Sequence, residues 1–148
     1  MQLTQALNRA VQTRGPFTAT IFGERRRTWR AIGDRVPRAA AGLRKLGVAP
    51  GDRIAILALN SDTYVELFFA IAWAGAVSTP LNTRWAAAEH VYALNDCGAR
   101  LLLVDETFAF LIPALIGKTG VERVVYIGEG QAPGSAEDYE ALLAGSEP

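Results

Sequence analysis

The sequence contains few of the residues on which several classes of protein depend. Its 148 residues include one cysteine, Cys97, and one histidine, His90, so an intramolecular disulfide and a metal site with two histidine ligands are excluded. Basic and acidic side chains number 15 each, and this balance gives no field of one sign to attract nucleic acid or an anionic membrane. We therefore expect no nucleic acid and no metal ion as partners, and the low cysteine content favours a cytoplasmic location.

A long hydrophobic run is also missing. The most apolar segment, LFFAIAWAGAV at residues 67–77, is shorter than the ~20 residues that span a bilayer. The beginning of the chain has no apolar block typical of a signal peptide, because Leu3, Leu7 and Val11 recur at helical spacing among polar residues. We therefore expect an amphipathic N-terminal helix and no membrane span.

Half of the residues are hydrophobic, which is enough for a sizeable core in one domain of ordinary size. We expect a single α/β unit over residues 1–148. Its last part, residues 131–148, contains Pro133, Gly134 and Ser135 and predicts a weakly structured tail with a short helical piece around EDYEALLAG.

Strand-like and helix-like segments alternate along the chain. The segments FTATIF and RRRTW, joined by Gly23-Glu24, predict a hairpin, and the run Arg25 to Arg27 is typical of a solvated turn. IAILAL, RLLLVD and RVVYIG are continuously apolar, as strands covered on both faces must be. Helical patterns lie between them, so the fold class is α/β: a layered, largely parallel sheet flanked by helices, with an N-terminal helix and hairpin.

Two helices carry clear signals at their ends. The first long helix is expected to begin near Thr28 and to stop at Gly47, although Pro37 inside it costs about 3 kcal/mol in a regular helix and predicts a kink or two helical pieces. The next is capped by Ser61 and ended by Gly75, and its apolar residues cover nearly the whole circumference, which predicts a buried helix.

The residues supply no complete active site. The loop after IAILAL is NSDTY, which lacks the glycines of a dinucleotide site, and a Walker-type GxxxxGK[ST] is not present. His90 lies in a helical segment beside Glu89 without a serine elbow, so we expect an exposed or partly buried helical histidine. Cys97 is expected to be a small packing residue. We assign no catalytic residue to this chain.

The stretch WAGAVSTPLNTRW, residues 73–85, places polar side chains where a strand should emerge into solvent. Pro80 cannot donate to a ladder and belongs at the strand end. Asn82 and Arg84 follow directly, either as parts of an ordinary turn or at the carboxyl end of a parallel strand, where α/β proteins bind ligands.

Five segments between Thr28 and Asp105 carry a family resemblance: TW with the helix that follows, LRKLGVAPGDRIAIL, NSDTYVELFFAIAWAGAVSTPLN, the adjoining NTR, and DCGARLLLVD. Together they resemble the N-terminal part of the AMP-forming acyl-CoA synthetases, the adenylating ligases that include fatty-acid and aryl-acid CoA ligases. The resemblance implies that a full-length parent activates a carboxylic acid, fatty or aromatic, with ATP and Mg²⁺ to an acyl-adenylate and transfers it to CoA.

Other functional segments of that family do not occur in these 148 residues. Its phosphate-binding loop, a Ser/Thr/Gly-rich segment ending in Pro-Lys-Gly, would follow shortly after Pro148, and the domain with the catalytic lysine comes later. The resemblance thus implies an N-terminal subdomain that binds neither ATP, Mg²⁺ nor CoA by itself and is inactive alone, with the rest of the parent as its partner. A free-standing α/β binding or interaction module is the alternative.

The resemblance also gives Arg84 a role. In similar aryl-CoA ligases the arginine of an Asn-x-Arg segment lies near a phosphate of CoA during thioester formation, and a guanidinium suits a phosphate because its donors form a planar, charged fork. Asn82 would support the turn. The alternative is that Arg84 only pairs with Glu89 on the next helix.

A subdomain of this kind leaves apolar surface exposed that its neighbours in the parent would cover. Exposed apolar patches larger than a few hundred Å² tend to find partners. We therefore expect a homodimer or a higher homo-oligomer.

Overall fold

The fold was analysed in a computed structural model, which describes residues 3–148. Seven strands and six helices of the described residues alternate along the chain. The helices are α1 (Leu3–Arg14), α2 (Trp29–Lys45), α3 (Asp62–Ala74), α4 (Ala87–Cys97), α5 (Ile112–Ile116) and α6 (Tyr139–Ala144). The strands are β1 (Thr18–Phe22), β2 (Arg25–Thr28), β3 (Arg53–Leu57), β4 (Val77–Pro80), β5 (Leu101–Asp105), β6 (Arg123–Ile127) and β7 (Glu137–Asp138).

The strands form two sheets. β1 and β2 pair antiparallel as a hairpin, and the other five form a parallel sheet in the order β4-β3-β5-β6-β7. Alternate residues of the central strands enter different cores: Ile54 and Ile56 pack with α2 and α3, whereas Ala55 and Leu57 pack with α4 and α5. Because both faces are covered, these strands are apolar throughout. The predicted α/β class, with its N-terminal helix and hairpin, is confirmed.

Helix α2 is a single uninterrupted helix in spite of Pro37. Of the two expected outcomes, a kink or two helical pieces, the second is therefore wrong. Val36, Ala39 and Leu43 are fully buried on either side of the proline, and this packing offsets the loss of one backbone donor. The predicted ends are present. Thr28 Oγ1 accepts the Ala31 N–H at 3.2 Å, and Gly47 has a positive φ of 92° just after the helix.

The apolar composition of α3 predicted a helix buried on all sides, and this prediction is wrong. Val65 and Phe68 are each 38 % exposed, whereas Asp62 and Glu66 are buried. The helix is turned so that its two carboxylates face arginines of the hairpin and of α2. Charge pairing therefore sets the orientation of α3 at the expense of part of its apolar surface.

The last residues are better ordered than the predicted weakly structured tail over 131–148. β7 extends the parallel sheet beside β6, and α6 follows it directly. Tyr139 is only 2 % exposed in the core below α2 and α3, and a Cβ on Gly42 would lie 2.6 Å from Leu142 Cγ. A two-residue strand and a six-residue helix have weak local signals, and tertiary packing holds them in place.

Candidate functional site

The main cleft of the described structure lies at the carboxyl ends of the parallel strands. β3 pairs with β4 on one side and with β5 on the other, and the helices that follow β3 and β5 pack on opposite faces of the sheet. The connections therefore diverge between β3 and β5, which is where open α/β sheets form a crevice. The cleft measures about 790 Å³, and its lining includes Asn60, Ser61, Asp105, Thr107 and Glu129.

Polar groups in this cleft are largely occupied by the fold itself. Asp105 Oδ2 accepts the Leu59 N–H at 2.7 Å and Oδ1 accepts the Phe108 N–H at 3.3 Å, while Ser61 Oγ accepts the Tyr64 N–H at 3.1 Å. Burial raises the pKa of the Asp105 carboxyl, and the backbone donors oppose the rise. These side chains tie loops and helix ends together, so they do not form a nucleophile with its base.

One wall of the cleft is an ion-pair network between the hairpin and three helices. Arg25 binds both oxygens of Asp62 at 2.6 Å, and Arg27 Nη1 lies 2.9 Å from Asp62 Oδ2 and 2.5 Å from Glu66 Oε1. Arg35 joins Glu66 at 2.8 Å and extends the network to α6. The side chains of Asp62 and Glu66 are 0 % exposed, so this network lies inside the fold.

The electrostatics of the two buried carboxylates differ. Burial raises the pKa of Glu66, against the opposing effect of the Arg35 guanidinium. Burial is also the largest single effect on Asp62, but the hydrogen bond from Arg25, the charges of Arg27 and Arg25 and the Thr63 N–H together outweigh it and hold the pKa of Asp62 below its usual range.

The arginine run is therefore not the solvated turn that its charge predicted. The Arg27 side chain is only 10 % exposed. The signal was available in the spacing: Arg25 and Arg27 are two apart on a strand, Asp62 and Glu66 are four apart on a helix, and each pair shares a face. What the sequence does not show is that these two faces meet.

The predicted site residues lie on the turn that follows the edge strand β4, away from the cleft lining. Asn82 Oδ1 accepts the Arg84 N–H at 2.9 Å, and the Trp85 N–H donates to the Asn82 carbonyl oxygen at 3.2 Å. This is the side-chain-closed turn that asparagine favours. The Arg84 side chain extends from this turn and is exposed to solvent.

The structure does not pair Arg84 with Glu89. Glu89 Oε2 instead accepts the Ala86 N–H at 2.8 Å and closes the first turn of α4. Within residues 3–148 the Arg84 guanidinium forms no ion pair. It is therefore free to take an anion from outside the chain.

His90 is fully buried, not exposed or partly buried as the sequence predicted. It lies one helical turn before the buried Leu94, on the core-facing side of α4. Its ring is 6.0 Å from that of Trp85, centroid to centroid, and neither ring nitrogen has a hydrogen-bond partner among residues 3–148. Burial lowers the pKa of His90, and the nearby Glu89 opposes this.

We expect His90→Leu to make the protein less sensitive to mild acid. An unfolded histidine takes up its proton near pH ~6.5, whereas the buried ring does so only at lower pH, so the unfolded state binds more protons as the pH falls through this range. Stability then decreases with falling pH. Urea unfolding at pH 8 and pH 5.5 should show a larger drop for the native chain than for His90→Leu, and an equal drop would contradict a buried neutral His90.

Residues 3–148 lack the features of a membrane span and of a metal site. No helix there has the length and apolar character to cross a bilayer. No group of three or more histidine, cysteine, aspartate or glutamate residues is arranged to hold a metal ion.

Comparison with known proteins identifies the family. The family model described as AMP-binding enzyme matches residues 7–145. A peroxisomal benzoate–CoA ligase of Arabidopsis thaliana is 32 % identical over 152 aligned residues, which cover 96 % of this chain and 26 % of that protein. A fatty acid–[acyl-carrier-protein] ligase, ScoC of Streptomyces coeruleorubidus, is 34 % identical over 126 residues, 84 % of this chain and 24 % of its own length.

A solved structure agrees with the sequence matches. The anthranilate CoA ligase AuaEII, in complex with anthranoyl-AMP, superposes with a TM-score of 0.92 at 29 % identity, over 99 % of this chain and 28 % of that one. The chain thus spans about a quarter of the length of the ligases it matches. It belongs to the family of AMP-binding enzymes, and its relatives include proteins named as acyl- and aryl-CoA ligases.

Proposed function

We propose that this chain is the N-terminal subdomain, residues 1–148, of a ligase that activates a fatty or aromatic carboxylic acid with ATP to an acyl-adenylate and transfers the acyl group to CoA. The proposal rests on the family match over residues 7–145. One geometric observation supports a role for Arg84 in the reaction. Its side chain extends from a fixed turn after β4 and has no carboxylate partner among the described residues.

The side chains of this turn would act in the second half-reaction. Asn82 holds the backbone of the turn through its 2.9 Å hydrogen bond from the Arg84 N–H. The Arg84 guanidinium then offers a planar, permanently charged fork to a CoA phosphate and orients the thiol-bearing cofactor toward the acyl-adenylate. The test is Arg84→Ala in the ligase-length protein, with adenylation and thioester formation measured separately.

The 148-residue chain alone should have no ligase activity. Adenylation needs ATP, Mg²⁺ and the acid held in line with their charges neutralised, and these residues contain no Pro-Lys-Gly phosphate loop. We expect no pyrophosphate release above background when the 148-residue chain is mixed with ATP, Mg²⁺, CoA and a panel of fatty and aromatic acids. Release that depends on the acid would refute inactivity.

A free-standing α/β binding or interaction module is the second candidate, since the described residues fold into a compact α/β unit with cores on both faces of the sheet. The reading frame downstream of Pro148 separates the two. A continuing frame with a Ser/Thr/Gly-rich loop ending in Pro-Lys-Gly supports the ligase, and a natural stop codon supports the module.

We propose CoA as the acceptor of the acyl group. The name of the ScoC relative suggests a carrier protein as the alternative acceptor. Offering purified ligase both acceptors after adenylation decides between them. We also propose a cytoplasmic location, although the name of the benzoate–CoA ligase relative places that protein in peroxisomes.

Self-association is a further part of the proposal. Several large apolar side chains are exposed, among them Phe17 at 58 %, Ile21 at 59 % and Phe110 at 75 %, and such surface favours a partner. We expect light scattering of the 148-residue chain to report a dimer or larger assembly. A monodisperse monomer at high concentration would contradict this.

A further inference from the structure

We propose that Trp85 is a second contact for CoA, stacking on its adenine while Arg84 pairs with one of its phosphates. This inference rests on the proposed function, because it takes CoA as the ligand of Arg84. It adds the residue that would recognise the base, and it comes from the geometry of the turn and of the buried ring beneath it.

The turn fixes where the two side chains begin. The Asn82 side chain accepts the Arg84 N–H at 2.9 Å, and the Asn82 carbonyl oxygen accepts the Trp85 N–H at 3.2 Å. One asparagine therefore holds the backbone of both residues. The two residues are consecutive, with α-carbons ~3.8 Å apart, so the guanidinium and the indole extend from the same fixed turn.

The indole is anchored and yet accessible. Its ring packs on His90 at a centroid distance of 6.0 Å and an interplanar angle of 57°, and His90 itself is 0 % exposed. Trp85 nevertheless keeps 38 % of its surface exposed. An aromatic side chain held from below loses little conformational freedom on binding, which makes it a suitable stacking platform.

The chemistry of the pair matches one end of CoA. Adenine stacks on aromatic rings without regard to hydrogen-bond pattern, and a guanidinium binds phosphate oxygens through paired donors. The phosphoadenosine end of CoA carries both groups on one ribose. Within residues 3–148 Arg84 forms no ion pair that a phosphate would have to displace.

The test is a calorimetric titration of the ligase-length protein with adenosine 3′,5′-bisphosphate and, in a second arm, with adenosine. We expect Trp85→Ala to lower the affinities for both ligands by the same factor, about five- to a hundredfold. Trp85→Phe should retain most of the native affinity. Tyr92→Ala is the matched control, because Tyr92 is an exposed aromatic on α4 that is 74 % accessible and has no such anchor. It should change neither affinity.

Arg84→Ala separates this inference from the proposed function. This substitution should lower the affinity for the bisphosphate and leave the affinity for adenosine unchanged. If Arg84→Ala weakens the bisphosphate and both Trp85 variants bind like the native protein, Trp85 does not stack on adenine but the phosphate role stands. If neither Arg84→Ala nor the Trp85 substitutions change the affinity for the bisphosphate, the stacking role of Trp85 and the phosphate role of Arg84 are both overturned. The apparent ATP requirement of adenylation should be unaffected by Trp85→Phe and Trp85→Ala, and a rise there would assign the indole to ATP instead.

Discussion

Glu66→Gln should lower the free energy of unfolding by about 3 kcal/mol, the lower end of the ~3–5 kcal/mol seen when one partner of a buried ion pair is removed. The Glu66 carboxylate is 0 % exposed and lies within 2.8 Å of both Arg27 and Arg35. The amide keeps the shape of the side chain but not its charge. Burial, which raises the pKa of Glu66, makes this charge costly, but its removal leaves buried guanidinium charge uncompensated, and we expect that second effect to be the larger one. Arg27, only 10 % exposed, then loses one of its two carboxylates in a place that water hardly reaches.

Urea unfolding at pH 7 measures this effect, and Glu122→Gln provides the control. Glu122 is bound to Arg100 at 2.6 Å, but both side chains are well exposed, and such surface pairs contribute little. We expect the unfolding midpoint of Glu122→Gln to stay where it is. Equal losses in the two variants, or no loss in Glu66→Gln, would show that the buried network does not hold the hairpin and α6 to the helices.

The fold could be predicted from sequence where the local pattern and the tertiary context agree. The runs that became β3, β5 and β6 are apolar at every position, and only strands covered on both faces need that. Ser61 and Gly75 mark the ends of α3 for equally local reasons, a side-chain cap and a positive φ of 82°. None of these inferences needed to know which elements are neighbours.

The failures share one physical cause, which is contact between distant segments. His90 and its neighbours resemble an ordinary surface helix until α4 is placed on the sheet. Glu66 was hidden among apolar residues, and its partners Arg27 and Arg35 are 39 and 31 positions away. Tyr139 lies in a segment with weak helical signals, but its hydroxyl donates to Glu66 Oε2 at 3.3 Å in the buried core. Charge, burial and capping at such positions are decided only after the chain has folded.

The turn of the candidate site could be predicted in part from the sequence. The Asn-x-Arg pattern predicts a role for Arg84 by resemblance, and that role stays a prediction, whereas the Asn82 side chain is bonded within the turn. An aromatic residue after a turn has no distinctive pattern, so the sequence does not single out Trp85. Its anchoring depends on His90, which the sequence placed near the surface.

Arg84→Ala should raise the apparent CoA requirement of the ligase-length protein about ten- to a hundredfold, since a charge-assisted contact contributes roughly 1.5–3 kcal/mol. The adenylation half-reaction should stay nearly intact, because in the proposed role the guanidinium takes part only when CoA is bound. Arg84 is exposed and makes no ion pair in residues 3–148, so its loss should cost the fold little. Arg26→Ala, which removes an exposed arginine of the hairpin, is the matched control and should change neither half-reaction.

The central claim is that this chain serves CoA binding in an adenylating ligase through Arg84. Its most direct test is to measure acid-dependent pyrophosphate exchange and thioester formation side by side in the ligase-length protein and its Arg84→Ala variant, over a range of CoA concentrations. We predict unchanged exchange and a CoA dependence shifted about ten- to a hundredfold to higher concentration. An unchanged CoA dependence, or an equal loss in both half-reactions, would contradict the account.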